Sequence, residues 1–424
     1  MESLRIALVS DWFLPRVGGV EVSIDELAAE LSREGHETFV VTSTGLHSDG
    51  SGPLENRNGF TVYRVPSRIH GLDGVTADPF AVVRALLFVK WNAFDIVHSH
   101  GISSTLSLFS SMIASGGTGV PSVLTNHSLL DDGIQPPVRW LLRYALKWPR
   151  VITGVSNAAA RDVERISGRR AFVTPNCINV RAWRENVRPI ELGGEPAIVI
   201  TSRLSKRKNP LEIAMVAEEL MKRLPRARLY VIGSGSEGAL LKSRLNDKGL
   251  GSVVELLGLR PRDEIAGLLA SADFFVLTSR RESFGVAILE SMALGTVPVI
   301  YKSPGALDLV ADGVNGFVVD GPKRLVDKIV EVHENRDLYA KLSSKAASTA
   351  EKFDCSRVIR EFVMPLYRLA LDKCEEGDER FLVYRAYRQI VGDPVRRGEW
   401  CRERKWLYHE HAREGLVPVV RRRA

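Results

Sequence analysis

The fold is decided near the N-terminus, where Leu4 to Thr42 read LRIALVSDWFLPRVGGVEVSIDELAAELSREGHETFVVT. The short apolar run Leu4–Val9 predicts a buried strand. After a loop, apolar side chains recur from Ile24 to Leu31 at the spacing i, i+3, i+4, i+7, which is typical of one face of an amphipathic helix. A second apolar run, Thr38–Thr42, predicts the next strand. The stretch is therefore a strand–helix–strand unit, the building block of a parallel sheet.

The same alternation continues along the chain in two series, separated by the polar, glycine-containing stretch Arg184–Pro196. Strands that alternate with helices indicate parallel sheets covered by helices on both faces. We therefore predict an α/β fold with two doubly wound, Rossmann-like domains that face each other across a cleft. Further predicted strands are Ile96–His98, Ser122–Thr125 and Val151–Val155 in the first domain, and Ala197–Ser202, Arg228–Ile232, Val253–Leu257, Phe274–Leu277 and Val297–Ile300 in the second.

Length and composition fit this prediction. The chain has 424 residues, which suits two domains. No segment approaches the roughly 20 apolar residues of a membrane span. The N-terminus lacks the basic start and cleavage site of a secretory signal, so we expect a cytoplasmic protein. The four cysteines are far apart in sequence and form no CxxC pair, and we expect free thiols at Cys177, Cys355, Cys374 and Cys401.

The positive charge is concentrated at the C-terminus. The whole chain carries a net charge of +7, of which +6 falls after residue 378 and only +1 on the remaining residues. Because the body is balanced, we predict no nucleic-acid-binding surface there.

Several polar groups follow predicted strand ends, where parallel sheets bind ligands. Gly18-Gly19 could let the backbone approach a phosphate, or could be a flexible loop. Arg203 and Lys208 could neutralise a diphosphate, although such a basic run is more often a solvated loop. His127 is either structural or part of a site beside the cleft. His98 and His100 have a spacing that a metal could use, but no third ligand is evident, and packing is the favoured interpretation.

A glycine-rich fingerprint also follows a strand. Gly233 to Gly238 read GSGSEG and match GxGxxG, which normally suggests a dinucleotide. The motif lies in the second domain, and Glu255 is a poor candidate for the ribose-binding acid. We therefore interpret it as a glycine-rich turn.

The second series contains RRESFGVAILESMALG, Arg280 to Gly295, with two glutamates eight residues apart. If Gly285–Leu294 is a helix, Glu290 lies near its buried face and needs hydrogen-bond partners, whereas Glu282 precedes the helix. Eight helical residues span about 12 Å, which exceeds the roughly 5–9.5 Å between paired glycosidase carboxylates. Glu282 and Glu290 would therefore suit two parts of one elongated ligand, such as a sugar and a ribose joined by a diphosphate.

In their order these motifs resemble the retaining, two-domain glycosyltransferases that use nucleotide-sugar donors, of the GT-B type. The motifs are SDWFLPRVGGVE, VHSHG, TNHS, VSN, TPNCIN, SRLSKRKN, RESFGVAILESMALGTVPVI and DGVNGFVV, and the resemblance covers roughly Leu4 to Tyr367. Within that family the chain looks most like the N-acetylglucosaminyl transferase that begins GPI-anchor synthesis and its phosphatidylinositol-glycosylating relatives.

The resemblance implies a role for each domain. Residues 1–183 would form the acceptor-side domain and residues 184–358 the nucleotide-sugar-binding domain. Residues 359–372 would form a helix that returns to the first domain, and residues 373–424 a basic extension.

The resemblance also implies roles for individual residues. Gly18 and Gly19 would contact the donor phosphates or sugar, and Arg203 and Lys208 would bind the diphosphate. Glu282 and His127 would contact the donor sugar, and Glu290 would accept hydrogen bonds from the ribose diol. The backbone of Ser283, Phe284, Gly285 and Val286 would approach the diphosphate at the N-terminus of a helix.

The chain departs from the family pattern in places. Ser202 and Ala306 stand where many members of the family have glycine, and Asp308 stands where many have glutamate. No two aspartates stand two residues apart, so we expect no metal and no other cofactor besides the nucleotide-sugar substrate, which would be UDP- or GDP-linked. The acceptor would be a lipid or glycan precursor. Alternatives are a sugar-phosphate or other soluble-acceptor synthase, a nucleotide-sugar epimerase or dehydrogenase, and a non-catalytic scaffold.

One predicted helix could bind an anionic membrane surface. After Pro136-Pro137, the basic residues Arg139, Arg143 and Lys147 recur every four residues, beside aromatic residues that suit a headgroup region. An ordinary packed helix with a basic, solvated face is the alternative. The predicted apolar face comprises Val138, Leu141, Leu142, Ala145 and Leu146, and the predicted interfacial anchors are Trp140, Tyr144 and Trp148.

Overall fold

The computed structural model describes residues 3–43, 54–67, 78–115, 119–130 and 134–371, which form two α/β domains. The first domain has the strands β1 (Arg5–Ser10), β2 (Glu37–Thr42), β3 (Leu54–Arg57), β4 (Phe60–Arg64), β5 (Ile96–His100), β6 (Ser122–Asn126), β7 (Val151–Gly154) and β8 (Phe172–Val173). Its helices are α1 (Gly19–Arg33), α2 (Pro79–Trp91), α3 (Thr105–Ile113), α4 (Pro136–Ala145), α5 (Asn157–Ser167) and α6 (Val180–Arg184).

The eight strands of this domain form one sheet in the order β3-β4-β2-β1-β5-β6-β7-β8. Neighbouring strands are parallel except β3 and β4, which are antiparallel. The central strands are buried on both faces, which explains why they read as continuous apolar runs. From β1 the chain continues to β2 on one side, and from β5 it continues to β6 on the other side. The strand order therefore reverses between β1 and β5.

The second domain has the strands β9 (Ala197–Thr201), β10 (Arg228–Ile232), β11 (Val254–Gly258), β12 (Phe274–Leu277), β13 (Val297–Tyr301) and β14 (Phe317–Val319). Its helices are α7 (Glu212–Arg223), α8 (Gly238–Asp247), α9 (Arg262–Ser271), α10 (Val286–Ala293), α11 (Pro322–His333) and α12 (Arg336–Glu351). The strands form a parallel sheet in the order β11-β10-β9-β12-β13-β14, which reverses between β9 and β12.

The predicted fold class is confirmed, and most predicted strands agree with the observed ones within one or two residues. The sequence pattern missed the β3–β4 hairpin, β8 and β14. β3 has no fully buried residue, and β8 and β14 are only two and three residues long. Strands this short or this exposed leave too little apolar pattern to be seen.

After the second domain the chain crosses back to the first. α13 (Cys355–Val358) continues through one π-helical stretch, Ile359–Val363, into α14 (Met364–Ala370). Phe362 and Tyr367 are fully buried in the core cluster that also holds residues of β1 and α1. The last helical segment of the described chain therefore contributes to the core of the first domain.

The prediction of four free thiols is wrong for Cys177 and Cys355, which form a disulfide with their sulfur atoms 2.18 Å apart. The two residues are separated by 178 positions in sequence, but both lie where the chain crosses between the domains. Ile178 and Asp354 form a β-bridge, and the Cys355 amide donates to the Ile178 carbonyl. Sequence spacing alone could not show this contact. Cys374 and Cys401 lie outside the described residues.

Candidate active site

The N-termini of two helices, one from each domain, lie close together. Gly19 is the first residue of α1, and Val286 is the first residue of α10. A Cβ atom on Gly19 would lie only 3.5 Å from the Val286 side chain. Neither helix has a side-chain cap on its first N–H groups. Such N–H groups and the positive end of the helix dipole favour an anion.

A lysine and a glutamate meet beside the second of these helices. Lys208 donates to both carboxylate oxygens of Glu282, at 2.6 and 2.7 Å. Lys208 follows β9, and Glu282 follows β12, the strands between which the sheet order reverses. Ligands of open α/β sheets bind at such a reversal. The structure thus brings together two residues that the family resemblance assigns to the sugar and to the diphosphate.

The loop that carries Glu282 is held by the segment after β13. The Glu282 amide donates to the Ser303 hydroxyl, and the Gly305 amide donates to the Glu282 carbonyl at 2.9 Å. A Cβ atom on Gly305 would lie 2.1 Å from the Ser283 carbonyl oxygen, so only glycine fits there. The glutamate is thereby fixed through its backbone, independently of Lys208.

The residues after Glu282 form a turn whose two large side chains, Phe284 and Val286, are buried. The Phe284 ring is 1% exposed and packs edge-on against Phe353, with ring centroids 5.7 Å apart. Gly285 has a φ of 104°, in the region that favours glycine. Such a tight turn into α10 leaves the backbone between Ser283 and Val286 as the surface that a phosphate could approach.

Arg203 lies on the exposed loop after β9, and the GxGxxG turn supports that loop. A Cβ atom on Gly233 would lie 2.0 Å from the Ser202 carbonyl oxygen, and one on Gly235 would lie 2.5 Å from the Leu204 carbonyl oxygen. The Leu204 amide also donates to the Ser234 carbonyl. These glycines pack against protein backbone, which explains the motif without a dinucleotide.

We expect the substitutions Arg203→Ala and Lys208→Ala each to weaken the binding of a nucleoside diphosphate about tenfold or more, because a charge-assisted hydrogen bond contributes about 1.5–3 kcal/mol. Isothermal titration calorimetry with UDP and GDP measures this effect. Arg207→Ala is the matched control, since Arg207 is an exposed residue of the same basic run. Equal affinities in all three variants would mean that the run is only a solvated loop.

Glu290 lies in a cluster of charges at the domain boundary. Burial raises the pKa of its carboxyl to about 7, against the opposing effect of Arg262, and Glu26 raises it further. Arg262 is bound to Glu26 of α1 at 2.7 Å and lies over the Trp183 ring. The Glu26 carboxylate also accepts the Asn179 amide. Glu290 is therefore a partly buried carboxyl group near a cation that already has a carboxylate partner.

This environment predicts a pH-dependent stability. Glu290 has an ordinary pKa of 4.5 and a raised value of about 7 in the folded protein. The folded state therefore holds the proton more tightly, and this contribution to stability is lost as the pH rises from about 4.5 through about 7. We expect Glu290→Gln to melt at a higher temperature than the wild type at pH 8, and at a similar temperature at pH 4. Equal differences at both pH values would contradict the prediction.

Three histidines, His98, His100 and His127, form a buried cluster at the carboxyl ends of β5 and β6. His100 and His127 are joined by a hydrogen bond of 3.0 Å between His100 Nδ1 and His127 Nε2. His98 bonds the Tyr367 hydroxyl and the Thr125 hydroxyl. Burial lowers the pKa of His98 to about 3 and that of His127 to about 4, and it lowers the pKa of His100 well below its ordinary value. The three rings are therefore neutral near pH 7.

The domains also meet through a pair of residues whose contact the sequence does not indicate. The Asp308 carboxylate accepts the backbone amide of Asn157 at 2.7 Å and its side-chain amide at 3.2 Å. Asn157 begins α5 of the first domain, in the VSN motif. Asn157 belongs to the VSN motif, and Asp308 is a departure from the family pattern. Their contact depends on how the domains pack.

Two kinds of feature are absent from the described part of the chain. Among residues 3–43, 54–67, 78–115, 119–130 and 134–371, no group of three or more His, Cys, Asp or Glu side chains could hold a metal ion. Within the same ranges, no helix has both the length and the apolar character to cross a bilayer.

Comparison with known proteins agrees with this geometry. The family model described as "Glycosyl transferases group 1" matches residues 184–349, and the model "Glycosyltransferase Family 4" matches residues 17–182. Each match falls within one of the two domains. The second domain is therefore a group 1 glycosyltransferase domain and the first a family 4 glycosyltransferase domain, and together they form the two-domain GT-B fold. The protein is an enzyme that transfers a glycosyl group.

Similar sequences include the phosphatidylinositol N-acetylglucosaminyltransferase gpi3 subunit of Schizosaccharomyces pombe, which is 26% identical over 340 residues, 77% of this chain and 72% of the relative. The alpha-monoglucosyldiacylglycerol synthase of Acholeplasma laidlawii is 23% identical over 409 residues, 87% of this chain and 98% of the relative.

Solved structures share the fold. A glycosyltransferase from Rickettsia africae has a TM-score of 0.70 and 18% identity, and the match covers 88% of this chain and 100% of that one. Anabaena HepE in complex with UDP-glucose has a TM-score of 0.67 and 19% identity, over 86% of this chain and 99% of that one.

Proposed function

We propose that the protein moves a hexose or N-acetylhexosamine, with retention of anomeric configuration, from a UDP- or GDP-linked sugar to a membrane lipid of the phosphatidylinositol type. The proposal of a nucleotide-sugar donor rests on the Lys208–Glu282 pair, which lies beside the N-terminus of α10 and opposite the N-terminus of α1. A cation and two helix N-termini suit a diphosphate, and a fixed carboxylate suits sugar hydroxyls. Both ends of a nucleotide sugar then have partners in one cleft.

The proposed mechanism uses positioning and electrostatics. As the bond from the anomeric carbon to the diphosphate breaks, negative charge grows on the leaving oxygen. Arg203, Lys208 and the N–H groups at the start of α10 stabilise that charge. Glu282 holds the sugar hydroxyls, and Glu290 in its charged form accepts hydrogen bonds from the ribose diol. No metal is needed in this scheme.

The lipid acceptor is supported by the relatives, two of which are named for glycosylating phosphatidylinositol or diacylglycerol lipids.

To test the proposal, the protein is incubated with UDP-glucose, UDP-N-acetylglucosamine or GDP-mannose and a lipid extract, with and without EDTA. Mass spectrometry identifies the product, and NMR gives its anomeric configuration. A glycosylated phosphatidylinositol is the expected product. A product formed only with soluble acceptors would favour the soluble-acceptor synthase, and activity lost with EDTA would refute metal independence.

We also propose that the protein attaches reversibly to an anionic membrane through α4. Trp140 is 69% exposed and stacks with exposed Tyr144, with ring centroids 6.0 Å apart. Arg139, Arg143 and Lys147 are exposed as well. The predicted apolar face divides in two, because Leu142, Ala145 and Leu146 are buried in the protein while Val138 and Leu141 are exposed. The helix is thus anchored on one side and presents aromatic and basic groups on the other. The basic extension, residues 373–424, lies outside the described residues.

Charge reversal tests this attachment. Each basic residue near an anionic surface contributes about 1 kcal/mol, so we expect the Arg139→Glu/Arg143→Glu/Lys147→Glu variant to lose binding to anionic liposomes in flotation assays. Wild-type binding should also weaken as salt is raised. Lys341→Glu/Lys345→Glu on α12 is the control for charge reversal elsewhere on the surface. Equal wild-type binding to anionic and neutral liposomes would refute the attachment without affecting the transferase proposal.

A further inference from the structure

Two helices, α1 of the first domain and α10 of the second, bring a carboxyl group each to the domain boundary. Gly19, the first residue of α1, lies against Val286, the first residue of α10. Glu26 stands about two helical turns after Gly19, and Glu290 about one turn after Val286. At these spacings each glutamate shares a helix face with the residue that makes the contact. The two carboxyl groups are therefore brought toward each other, behind the helix N-termini.

Arg262 of α9 reaches this boundary from the second domain. Its guanidinium Nη2 lies 2.7 Å from Glu26 Oε1, and the group lies over the Trp183 ring, 4.8 Å from the ring centroid. Only 4% of the Glu26 side chain is exposed, and its carboxylate also accepts the Asn179 amide. Because a buried carboxylate without its cation is strongly destabilising, this ion pair holds the second domain against α1.

The ionisation of Glu290 depends on this ion pair. Burial raises the pKa of Glu290 to about 7, Arg262 opposes the rise, and Glu26 adds to it. Removal of the Arg262 cation would therefore favour the protonated form of Glu290, whereas removal of the Glu26 charge would favour its charged form. The two partners of one ion pair thus act on Glu290 in opposite directions.

The other charged groups on the elements packed against α10 are paired or exposed. From α6, Arg184 donates to the Ala293 carbonyl at the C-terminal end of α10 and pairs with Glu351 of α12. The remaining charged residues of α6, α9 and α12 are exposed to solvent, and the strands β12 and β13 contain no Asp, Glu, Lys or Arg. On α1, the carboxylates of Glu21, Asp25 and Glu30 pair with Arg16, Arg57 and Arg33.

We propose that Arg262 is a positioning residue for the nucleotide: it joins the two domains through Glu26 and supplies the positive charge beside Glu290. The inference rests on the proposed function, in which charged Glu290 accepts hydrogen bonds from the ribose diol, and deepens it. Arg262 acts through Glu290 and not on the nucleotide itself. Closure of the domains and the charge of the ribose-binding carboxylate are thereby linked through one guanidinium group.

Two neutral variants test the inference, because they break the same ion pair with opposite consequences for Glu290. In Arg262→Gln the Glu290 carboxyl should keep its proton to higher pH, and in Glu26→Gln it should lose the proton at lower pH. Calorimetry with UDP and GDP is carried out at pH values on both sides of the Glu290 pKa of about 7. Relative to the wild type, affinity should rise at higher pH in Arg262→Gln and at lower pH in Glu26→Gln. An ion pair with a purely structural role would move both variants in the same direction.

The size of the effect follows from the charged fraction of Glu290, which is about half at pH 7 in the wild type. A nearby opposite charge changes the proton affinity of a carboxyl group about tenfold or more. We therefore expect Arg262→Gln to bind UDP or GDP about three- to fivefold more weakly at pH 7 and to approach the wild type at higher pH. Arg262→Lys keeps the charge and should recover most of the affinity. Arg260→Gln is the matched control, since Arg260 stands two residues earlier and pairs with exposed Glu264; it should bind as the wild type does.

A second pair of variants covers the case in which Arg262→Gln does not fold because Glu26 has lost its cation. Glu26→Gln and Glu26→Gln/Arg262→Gln leave no buried charge unpaired at this position, and they differ only in the cation. The double variant should require a higher pH for nucleotide binding than Glu26→Gln. Equal pH dependence in these two variants would refute the role of Arg262.

The ionisation of Glu290 is also measured directly in the nucleotide-free protein, by ¹³C NMR of its side-chain carboxyl group. Titration midpoints that stay equal, or that move in the same direction in Arg262→Gln and Glu26→Gln, would overturn the inference whatever the nucleotide affinity. Opposite shifts that the affinities for UDP and GDP do not follow would overturn the positioning role. Opposite shifts in a protein whose wild type binds neither UDP nor GDP would refute the proposed function and leave the link between Arg262 and Glu290 standing.

Discussion

Glu282→Gln should reduce glycosyl transfer by about a hundredfold or more while the protein stays folded. The substitution keeps the size of the side chain and removes the charge that the proposed mechanism places at the donor sugar. Loss of one well-positioned electrostatic group in an active site costs about 10²–10³ in rate. The Gln oxygen can still accept from Lys208, and the backbone bonds to Ser303 and Gly305 do not involve the carboxylate. We therefore expect the melting temperature to fall by only a few degrees.

The same variant separates transfer from phosphate binding. In the structure the Glu282 carboxylate neutralises Lys208. With a neutral partner, the lysine charge is available to a diphosphate, so UDP or GDP should bind at least as tightly as to the wild type. Glu351→Gln is the control, because it removes a carboxylate from an exposed ion pair with Arg184, which lies at the C-terminal end of α10, whereas Glu282 precedes the N-terminus of that helix. Wild-type turnover in Glu282→Gln would remove Glu282 from the site.

The sequence was sufficient to place those residues of the candidate site that follow strand ends. Glu282 and Lys208 each come after an apolar run of a parallel sheet, and the carboxyl ends of such strands share one edge. That the two residues touch follows from the adjacency of β9 and β12, which the order of elements along the chain does not specify. The pattern predicted the edge on which the residues lie, and the sheet topology determined their contact.

Other parts of the site depend on how the domains pack, and no local pattern predicts them. Asp308 caps α5 of the opposite domain, and Glu26 binds Arg262 across the same boundary. The Cys177–Cys355 disulfide joins the two crossing segments. In each case the partners are distant in sequence and lie on elements whose relative placement is tertiary.

Gly305→Ala should reduce transfer by about a hundredfold without changing any polar group. Gly305 has φ −81° and ψ −25°, a backbone conformation that alanine adopts readily, so only the new methyl group matters. That methyl would lie 2.1 Å from the Ser283 oxygen and 2.6 Å from the Glu282 oxygen. Both neighbours are backbone atoms, which cannot rotate away as a side chain would. The loop of Glu282 must therefore shift by about 1 Å, and a displacement of that size in an active site costs about 10²-fold in rate.

The effect on stability should be smaller, because overpacking at one position typically costs about 1–3 kcal/mol. Turnover is measured at a temperature where circular dichroism shows the variant fully folded, so that lost activity reports the position of Glu282 and not unfolding. Gly321→Ala is the matched control, since a Cβ atom there meets no atom within 4 Å and the backbone is extended. If Gly305→Ala keeps the turnover of Gly321→Ala, the loop tolerates displacement, and the carboxylate of Glu282 does not need to be held in one place for transfer.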